Sequence, residues 1–177
     1  MCKQALYISV FSCFLLLIKC NGDGYDADHD HCVESCNEDR HEDLDDHCYY
    51  WSTARQFWET SKQECEGMDG HLAAVTSLRI HNFLMKRVDK KDKDTWFWIG
   101  GSDKVKEDTW KWVDGSEWNY ENWADEPHQQ PSQPDWRHDC LQIYHGTYAR
   151  NGWNDNNCDK YYPFICSWKI CPGSLKP

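Results

Sequence analysis

Two short stretches of this sequence carry oxygen-bearing side chains of the kind that bind a hard metal ion. Gln133 and Asp135 flank Pro134, and Asn154 is followed directly by Asp155. Calcium takes about six to eight oxygen ligands, many of them from carboxylates and amide carbonyls. These four side chains therefore predict a calcium site built from two segments.

Composition indicates one oxidised, aromatic-rich domain. The chain has 177 residues, of which 11 are Cys and 11 are Trp, and this argues against both a disordered tail and an ordinary cytosolic enzyme. Because 19 Lys and Arg face 30 Asp and Glu, the net charge of −11 disfavours nucleic acid and anionic membrane surfaces as partners. No motif surrounds a Ser or Cys nucleophile and no glycine-rich phosphate loop occurs, so the sequence does not predict an enzyme.

The amino-terminal part has the pattern of a secretory signal followed by an acidic leader. Lys3 precedes the uncharged run Ala5–Ile18, which is shorter than the about 20 apolar residues of a membrane span. We therefore expect residues 1–20 to be a signal peptide of a secreted, extracellular protein without membrane insertion, and residues 21–35 to be an acidic leader. Residues 23–47 contain almost nothing apolar, so we expect them to be loose and solvated.

The cysteines indicate disulfide bridges rather than a metal site. Removal of the signal takes away Cys2, Cys13 and Cys20 and leaves eight, namely Cys32, Cys36, Cys48, Cys65, Cys140, Cys158, Cys166 and Cys171. None of them forms the C-x-x-C pair that is typical of metal thiolate sites. An even number in an oxidising compartment permits four bridges, but the sequence alone leaves the pairing open.

Apolar spacing predicts the elements that must position the candidate ligands. Two segments have helical spacing, 56–67 and 78–88. Ser77 is the expected N-cap of the second helix. Three segments have the composition of strands, 95–99, 140–144 and 162–168. Gly100 and Gly101 are expected to end the first strand, and the proline-rich segment 124–139 predicts a long loop of the kind that carries function.

From Cys36 to Trp168 the sequence resembles the C-type lectin-like domains. The landmarks occur in the family's order, and they are Trp58, Cys65, Gly70-His71-Leu72-Ala73, Trp98-Ile99-Gly100-Gly101, Trp153-Asn154-Asp155-Asn156-Asn157-Cys158 and Phe164-Ile165-Cys166. The resemblance implies an α+β fold with two helices, small antiparallel sheets and a long loop region pinned by a disulfide. We expect this domain to span residues 36–171.

The same resemblance implies a disulfide framework. The implied pairs are Cys65–Cys166, Cys140–Cys158 and Cys36–Cys48. This leaves Cys32 and Cys171, which either pair with each other and tie the chain ends together or link two chains as a homo-oligomer; we favour the internal bridge.

The resemblance further implies a secreted, calcium-dependent lectin that recognises galactose-type glycans, with glycan recognition or innate defence as its role. Gln133-Pro134-Asp135 resembles the family's galactose-type motif, whereas Glu-Pro-Asn marks mannose-type sites. The expected sugar contacts are Gln133, Asp135, Trp136, Asn154 and Asp155, and the expected calcium ligands are Gln133, Asp135, Asp139, Asn154 and Asp155. Trp136 is either an aromatic plate for the sugar ring or a packed loop residue. Trp153 is expected to pack under the site.

Two departures from the family pattern keep an alternative open. His138 stands where the family usually has a Glu, and an imidazole is a ligand that calcium disfavours, so Asp139 is the expected substitute. The loop also contains Glu126-Pro127-His128 and Gln130-Pro131-Ser132, the second at a common family distance from Cys140. The alternative is a calcium-independent module of the same fold that binds a protein, a mineral or ice, and the acidic leader favours the mineral version.

Overall fold

The structure is a computed structural model that describes residues 32–33, 35–36, 41–87, 95–124, 131, 137–145 and 152–172. Within these ranges the chain forms two helices and nine strands. In chain order they are β1 (Cys32–Val33), β2 (His41–Leu44), β3 (His47–Trp51), α1 (Trp58–Glu66), β4 (His71–Leu72), α2 (Leu78–Arg87), β5 (Thr95–Ser102), β6 (Lys111–Trp112), β7 (Cys140–His145), β8 (Trp153–Asn156) and β9 (Ile165–Ile170). The predicted α+β class is confirmed.

The strands form two sheets. In the five-stranded sheet the order is β1-β9-β3-β2, and β4 also pairs with β9. Here β1 runs parallel to β9, whereas the other pairs are antiparallel. The four-stranded sheet is antiparallel, with the order β6-β5-β7-β8. It carries the candidate site, because Asn154 and Asp155 lie on its edge strand β8.

Both helices lie close to their predicted positions. Helix α1 begins one residue after Phe57 and ends before Gly67, and it buries Trp58, Ser61 and Cys65 on one face. At the start of α2 the Ser77 hydroxyl oxygen accepts a hydrogen bond from the Ile80 N–H (3.2 Å), so the expected N-cap is confirmed.

Part of the segment that was expected to be solvated is folded. Strand β2 pairs with β3 through a turn in which Asp45 has φ 58°. Strand β1 pairs with β9, and Cys32 is bonded to Cys171. The expectation of a loose segment was wrong for these residues because backbone pairing and a disulfide do not need apolar side chains. Residues 23–31 lie outside the described residues.

The two glycines that were expected to end a strand lie inside it. Strand β5 continues through Gly100 and Gly101 to Ser102. A Cβ atom on Gly100 would lie 2.4 Å from the Leu72 carbonyl oxygen, and one on Gly101 would lie 2.6 Å from Leu141 Cδ2. The glycines are therefore needed for close packing against β4 and β7, and the predicted strand end was wrong. At the carboxyl end, β9 spans Ile165–Ile170 rather than 162–168.

Four disulfides tie the fold together. They are Cys32–Cys171, Cys36–Cys48, Cys65–Cys166 and Cys140–Cys158. The last three agree with the implied pairs, and the first is internal to the chain. Cys140–Cys158 matters most for the candidate site, because it joins the start of β7 to the residues that follow β8. Among the described helices, none has the length and apolarity that crossing a bilayer requires.

Candidate functional site

Asn154 and Asp155 lie side by side on β8. Asn154 stands opposite Gln142 and Asp155 opposite Leu141 of β7. Successive side chains of a strand point to opposite faces. Accordingly the two differ in exposure: Asn154 is half-buried, whereas Asp155 is 5% exposed. The Asn154 side-chain amide donates to the Asp155 main-chain oxygen (2.7 Å), so the first side chain is held along the strand.

The backbone before these residues is held by a second segment. The Trp153 N–H donates to the Asn122 carbonyl (2.8 Å), and the Ala124 N–H donates to the Trp153 carbonyl (2.8 Å). We call residues 122–124 together with 152–153 the loop seam. At Gly152 a Cβ atom would lie 2.6 Å from the Ala124 nitrogen, so the two backbones of the seam are in direct contact.

Trp153 is fully buried beneath the candidate ligands. Its ring meets Trp112 edge-on at 5.4 Å between centroids and Trp123 at 5.8 Å. Trp153 is therefore a packed residue, directly before Asn154 and Asp155 in the chain, and its position under a sugar site stays a prediction. The aromatic cluster gives the first residues of β8 a rigid support, since edge-to-face pairs at these distances are favourable.

Asp139 is attached to the end of β5. Its carbonyl oxygen accepts hydrogen bonds from the Ser102 hydroxyl (2.7 Å) and from the Asp103 N–H (3.3 Å). Asp139 and its neighbour His138 are both half-buried. The structure thus places Asp139 next to Asp103, a residue that the sequence analysis did not select.

Three of the predicted site residues, Gln133, Asp135 and Trp136, lie outside the described residues. Their roles therefore stay predictions. Of the predicted calcium ligands, Asn154 and Asp155 are adjacent on β8 with their side chains on opposite faces, and Asp139 directly precedes the neighbouring strand β7. The pairing of Cys140 with Asn156 holds the start of β7 against the end of β8.

A cluster of three carboxylates follows β5, and we call residues 103–108 the acidic loop. One carboxylate oxygen from each of Asp103, Glu107 and Asp108 lies within 4.8 Å of the others. Asp103 is 3% exposed, whereas the other two are exposed. Asp103 Oδ2 accepts a hydrogen bond from the Asp108 N–H (3.0 Å). Its buried Oδ1 has no hydrogen-bond partner among the described residues.

The electrostatics of the acidic loop favour a cation. Burial raises the pKa of the Asp103 carboxyl to about 6, and the hydrogen bond from Asp108 opposes this rise. The negative charges of Glu107 and Asp139 raise the pKa further. A divalent cation would remove this repulsion and give the buried Oδ1 a partner. Carboxylate oxygens are the ligands that calcium prefers, so the residues present fit a calcium ion.

The acidic loop was not predicted from the sequence because Lys104 and Lys106 lie between its acids, as in an ordinary exposed turn. A signal was nevertheless present. Asp103 comes directly after a buried strand, and Glu107 and Asp108 follow within a few residues. An acidic residue next to a buried strand with further acids nearby is a pattern of a cation-binding loop.

Comparison with known proteins identifies the relatives of this chain. The family model described as Lectin C-type domain matches residues 54–168. A lectin from Pleurodeles waltl is 30% identical over 141 residues, which cover 76% of this chain and 79% of that protein. The crystal structure of the C-type lectin CEL-I from Cucumaria echinata superposes with a TM-score of 0.68 at 26% identity, covering 77% of this chain and 99% of that one.

A calcium-dependent type II antifreeze protein in its calcium-free form has the same fold. It superposes with a TM-score of 0.63 at 25% identity and covers 75% of this chain and 98% of its own. Some relatives are longer proteins. The chain spans 40% and 56% of the lengths of two proteins of Mus musculus, "C-type lectin domain family 10 member A" and "C-type lectin domain family 6 member A", at 29% and 28% identity.

Proposed function

Because this chain belongs to the C-type lectin domain family, we propose that it is a secreted, calcium-dependent protein that binds galactose-type glycans. The proposal describes a binding protein and not an enzyme. The observation that carries it is the buried Asp103 carboxylate, whose Oδ1 has no partner among the described residues and which lies within a cluster of three acids. A carboxylate in such a position calls for a positive charge.

Two sets of residues would each bind one calcium ion. Asp103, Glu107 and Asp108 would hold one calcium ion beside Asp139. Asn154 and Asp155, together with Gln133 and Asp135, would hold the ion that contacts the sugar. Bound calcium supplies charge neutralisation and open coordination positions for two vicinal hydroxyls. The protein side chains orient those hydroxyls by accepting and donating hydrogen bonds.

The fold supports this division by connecting the two sets. The Asp103 N–H and the Ser102 hydroxyl both hold the Asp139 carbonyl, and Asp139 directly precedes Cys140. Cys140 in turn is bonded to Cys158, beyond the end of β8. Hydrogen bonds and a disulfide therefore connect the acidic loop to the strand that carries Asn154.

The preference for galactose rests on Gln133-Pro134-Asp135, and Trp136 next to it is available as a flat apolar surface for the sugar ring. The decisive experiment is chromatography on immobilised galactose in calcium, followed by elution with a chelator. We expect retention on galactose, release by the chelator and weaker retention on immobilised mannose. Passage through both columns in calcium would contradict the proposal.

A second candidate is a calcium-independent module that binds a protein, a mineral or ice. The observation that favours it is His138, an imidazole where the family usually has a carboxylate. The likeness of the fold to that of a type II antifreeze protein supports this candidate. If calcium changes neither the melting temperature nor the retention on sugars, this second candidate replaces the first.

A further inference from the structure

We infer that His81 of helix α2 is a positioning residue for the sugar and calcium site, acting through Asn122 of the loop seam. This inference rests on the proposed function for its ligand. It starts from a buried polar side chain that the site described above does not use. His81 is 3% exposed and lies on the core-facing side of α2 with Leu84 and Met85.

His81 contacts the seam from the helix side. Asn122 Nδ2 lies 3.0 Å from His81 Nε2 and 3.2 Å from His81 Nδ1. One amide nitrogen this close to both ring nitrogens lies over the imidazole ring, since their lone pairs point apart in the ring plane, so the Asn122 amide packs on the face of His81. The pairing explains why an imidazole is tolerated among apolar neighbours, since a buried polar group needs a partner.

Asn122 passes this restraint to β8. Its side chain contacts the helix, whereas its main-chain carbonyl accepts the Trp153 N–H (2.8 Å). Gly152 and Ala124 approach so closely that their backbones are in direct contact. A shift of Asn122 must therefore move Trp153, and with it the next two residues, Asn154 and Asp155.

His81 thus fixes to a helix the backbone that leads into Asn154 and Asp155. Groups bonded directly to metal ligands typically change metal affinity by about 10- to 100-fold when they are replaced, so we expect the lower end of this range for His81, which acts through Asn122.

The test compares four variants. His81→Leu removes the imidazole that the Asn122 amide contacts, and His81→Gln supplies a planar polar side chain whose carbonyl oxygen can accept the Asn122 side-chain N–H. Asn122→Ala removes the same contact from the other side and serves if His81→Leu does not fold. Met85→Ala is the matched control, because Met85 is a buried residue of the same helix (6% exposed) for which a purely structural loss is expected.

The first readout needs no ligand. Amide hydrogen exchange is measured at Trp153 and Ala124, with Ser52, which donates to the Phe164 carbonyl, as the reference amide. We expect about tenfold faster exchange at the two seam amides in His81→Leu and near wild-type exchange in His81→Gln. Equal effects in His81→Leu and Met85→Ala, or no change at the seam, would overturn the inference.

The second readout is the dissociation constant for the calcium ion at Asn154 and Asp155. It is measured by titration calorimetry with the metal alone, in an Asp103→Asn background that removes a ligand of the acidic loop. We expect it to rise about tenfold in His81→Leu and in Asn122→Ala, and to recover in His81→Gln. Unchanged calcium affinity in both variants, with faster exchange at the seam, would show that the seam does not position the ligands. A wild type that binds no calcium would contradict the proposed function, whereas the exchange data would still decide whether His81 holds the seam.

Discussion

Replacement of Asp103 by Asn should stabilise the protein in a chelator and destabilise it, relative to the wild type, in calcium. In the metal-free protein, burial raises the pKa of the Asp103 carboxyl from an ordinary 3.8 to about 6. The folded state therefore binds this proton more tightly than the unfolded state does. Stability from this group is present at low pH and is lost as the pH rises through about 6.

The magnitude follows from the size of this pKa difference. A difference of one in pKa corresponds to about 1.4 kcal/mol, so an ionised Asp103 lowers the free energy of unfolding by up to about 3 kcal/mol above pH 7. Between about pH 5 and about pH 7.5 the wild type should lose about 1 kcal/mol from this group alone. The Asn amide has no charge but leaves an unsatisfied group that costs about 1–2 kcal/mol. The net gain of Asp103→Asn in a chelator near pH 7.5 is therefore about 1 kcal/mol.

Calcium should reverse the order of stability. An ion present at a hundredfold excess over its dissociation constant adds about 3 kcal/mol to a protein that binds it only when folded. The wild type should gain this amount from the ion in the acidic loop. Asp103→Asn should lose this part because one charged ligand is missing, and should keep only the gain from the ion at the sugar site.

The assay is urea unfolding of the wild type and Asp103→Asn, in chelator at the two pH values and in calcium. Asp159→Asn is the control, since Asp159 is an exposed acid in a turn. Identical pH dependence of the wild type and Asp103→Asn would refute the buried charge. An equal gain of both proteins in calcium would refute the acidic loop as a cation site.

Three further outcomes are expected. Asp155→Asn should abolish chelator-sensitive retention on galactose without changing the circular dichroism spectrum, and retained binding would remove Asp155 from the ligand set. The double change Gln133→Glu and Asp135→Asn should shift preference toward mannose in competition assays, and an unchanged sugar profile would disprove this basis of selectivity. Gly152→Ala should lower the free energy of unfolding by about 1–3 kcal/mol, because its Cβ would lie 2.6 Å from the Ala124 nitrogen; an unchanged urea midpoint would contradict the close contact.

The helices and the family landmarks were predictable because they depend on local signals. Ser77 caps α2 as its type suggests, and the apolar spacing of α1 and α2 places both helices within one or two residues. The disulfide pairs required more than spacing, since eight cysteines can be paired in many ways. The resemblance to a family supplied three of them, and the structure supplied Cys32–Cys171.

Other features depend on contacts between segments that are distant in the sequence. The acidic strand β2 is held by pairing with β3, so its composition gave no sign of order. Gly100 was predicted to end the strand because glycine is common at strand ends. The structure shows that a glycine is needed there because the Leu72 carbonyl approaches too closely for a side chain. Asp103 is followed by the charged Lys104 and was not selected from the sequence, and its burial accompanies a backbone contact with the distant residue Asp139.

We propose that the sugar and the calcium ion at Asn154 and Asp155 bind as one event, and this is tested by the dissociation constant of that ion with and without galactose. If the sugar completes the coordination of the ion, each ligand must strengthen the binding of the other by the same factor. We predict tighter calcium binding in saturating galactose, an equal gain in galactose affinity in saturating calcium, and a smaller effect with mannose. A calcium dissociation constant that is the same in the presence and absence of galactose would contradict the joint binding of calcium and sugar.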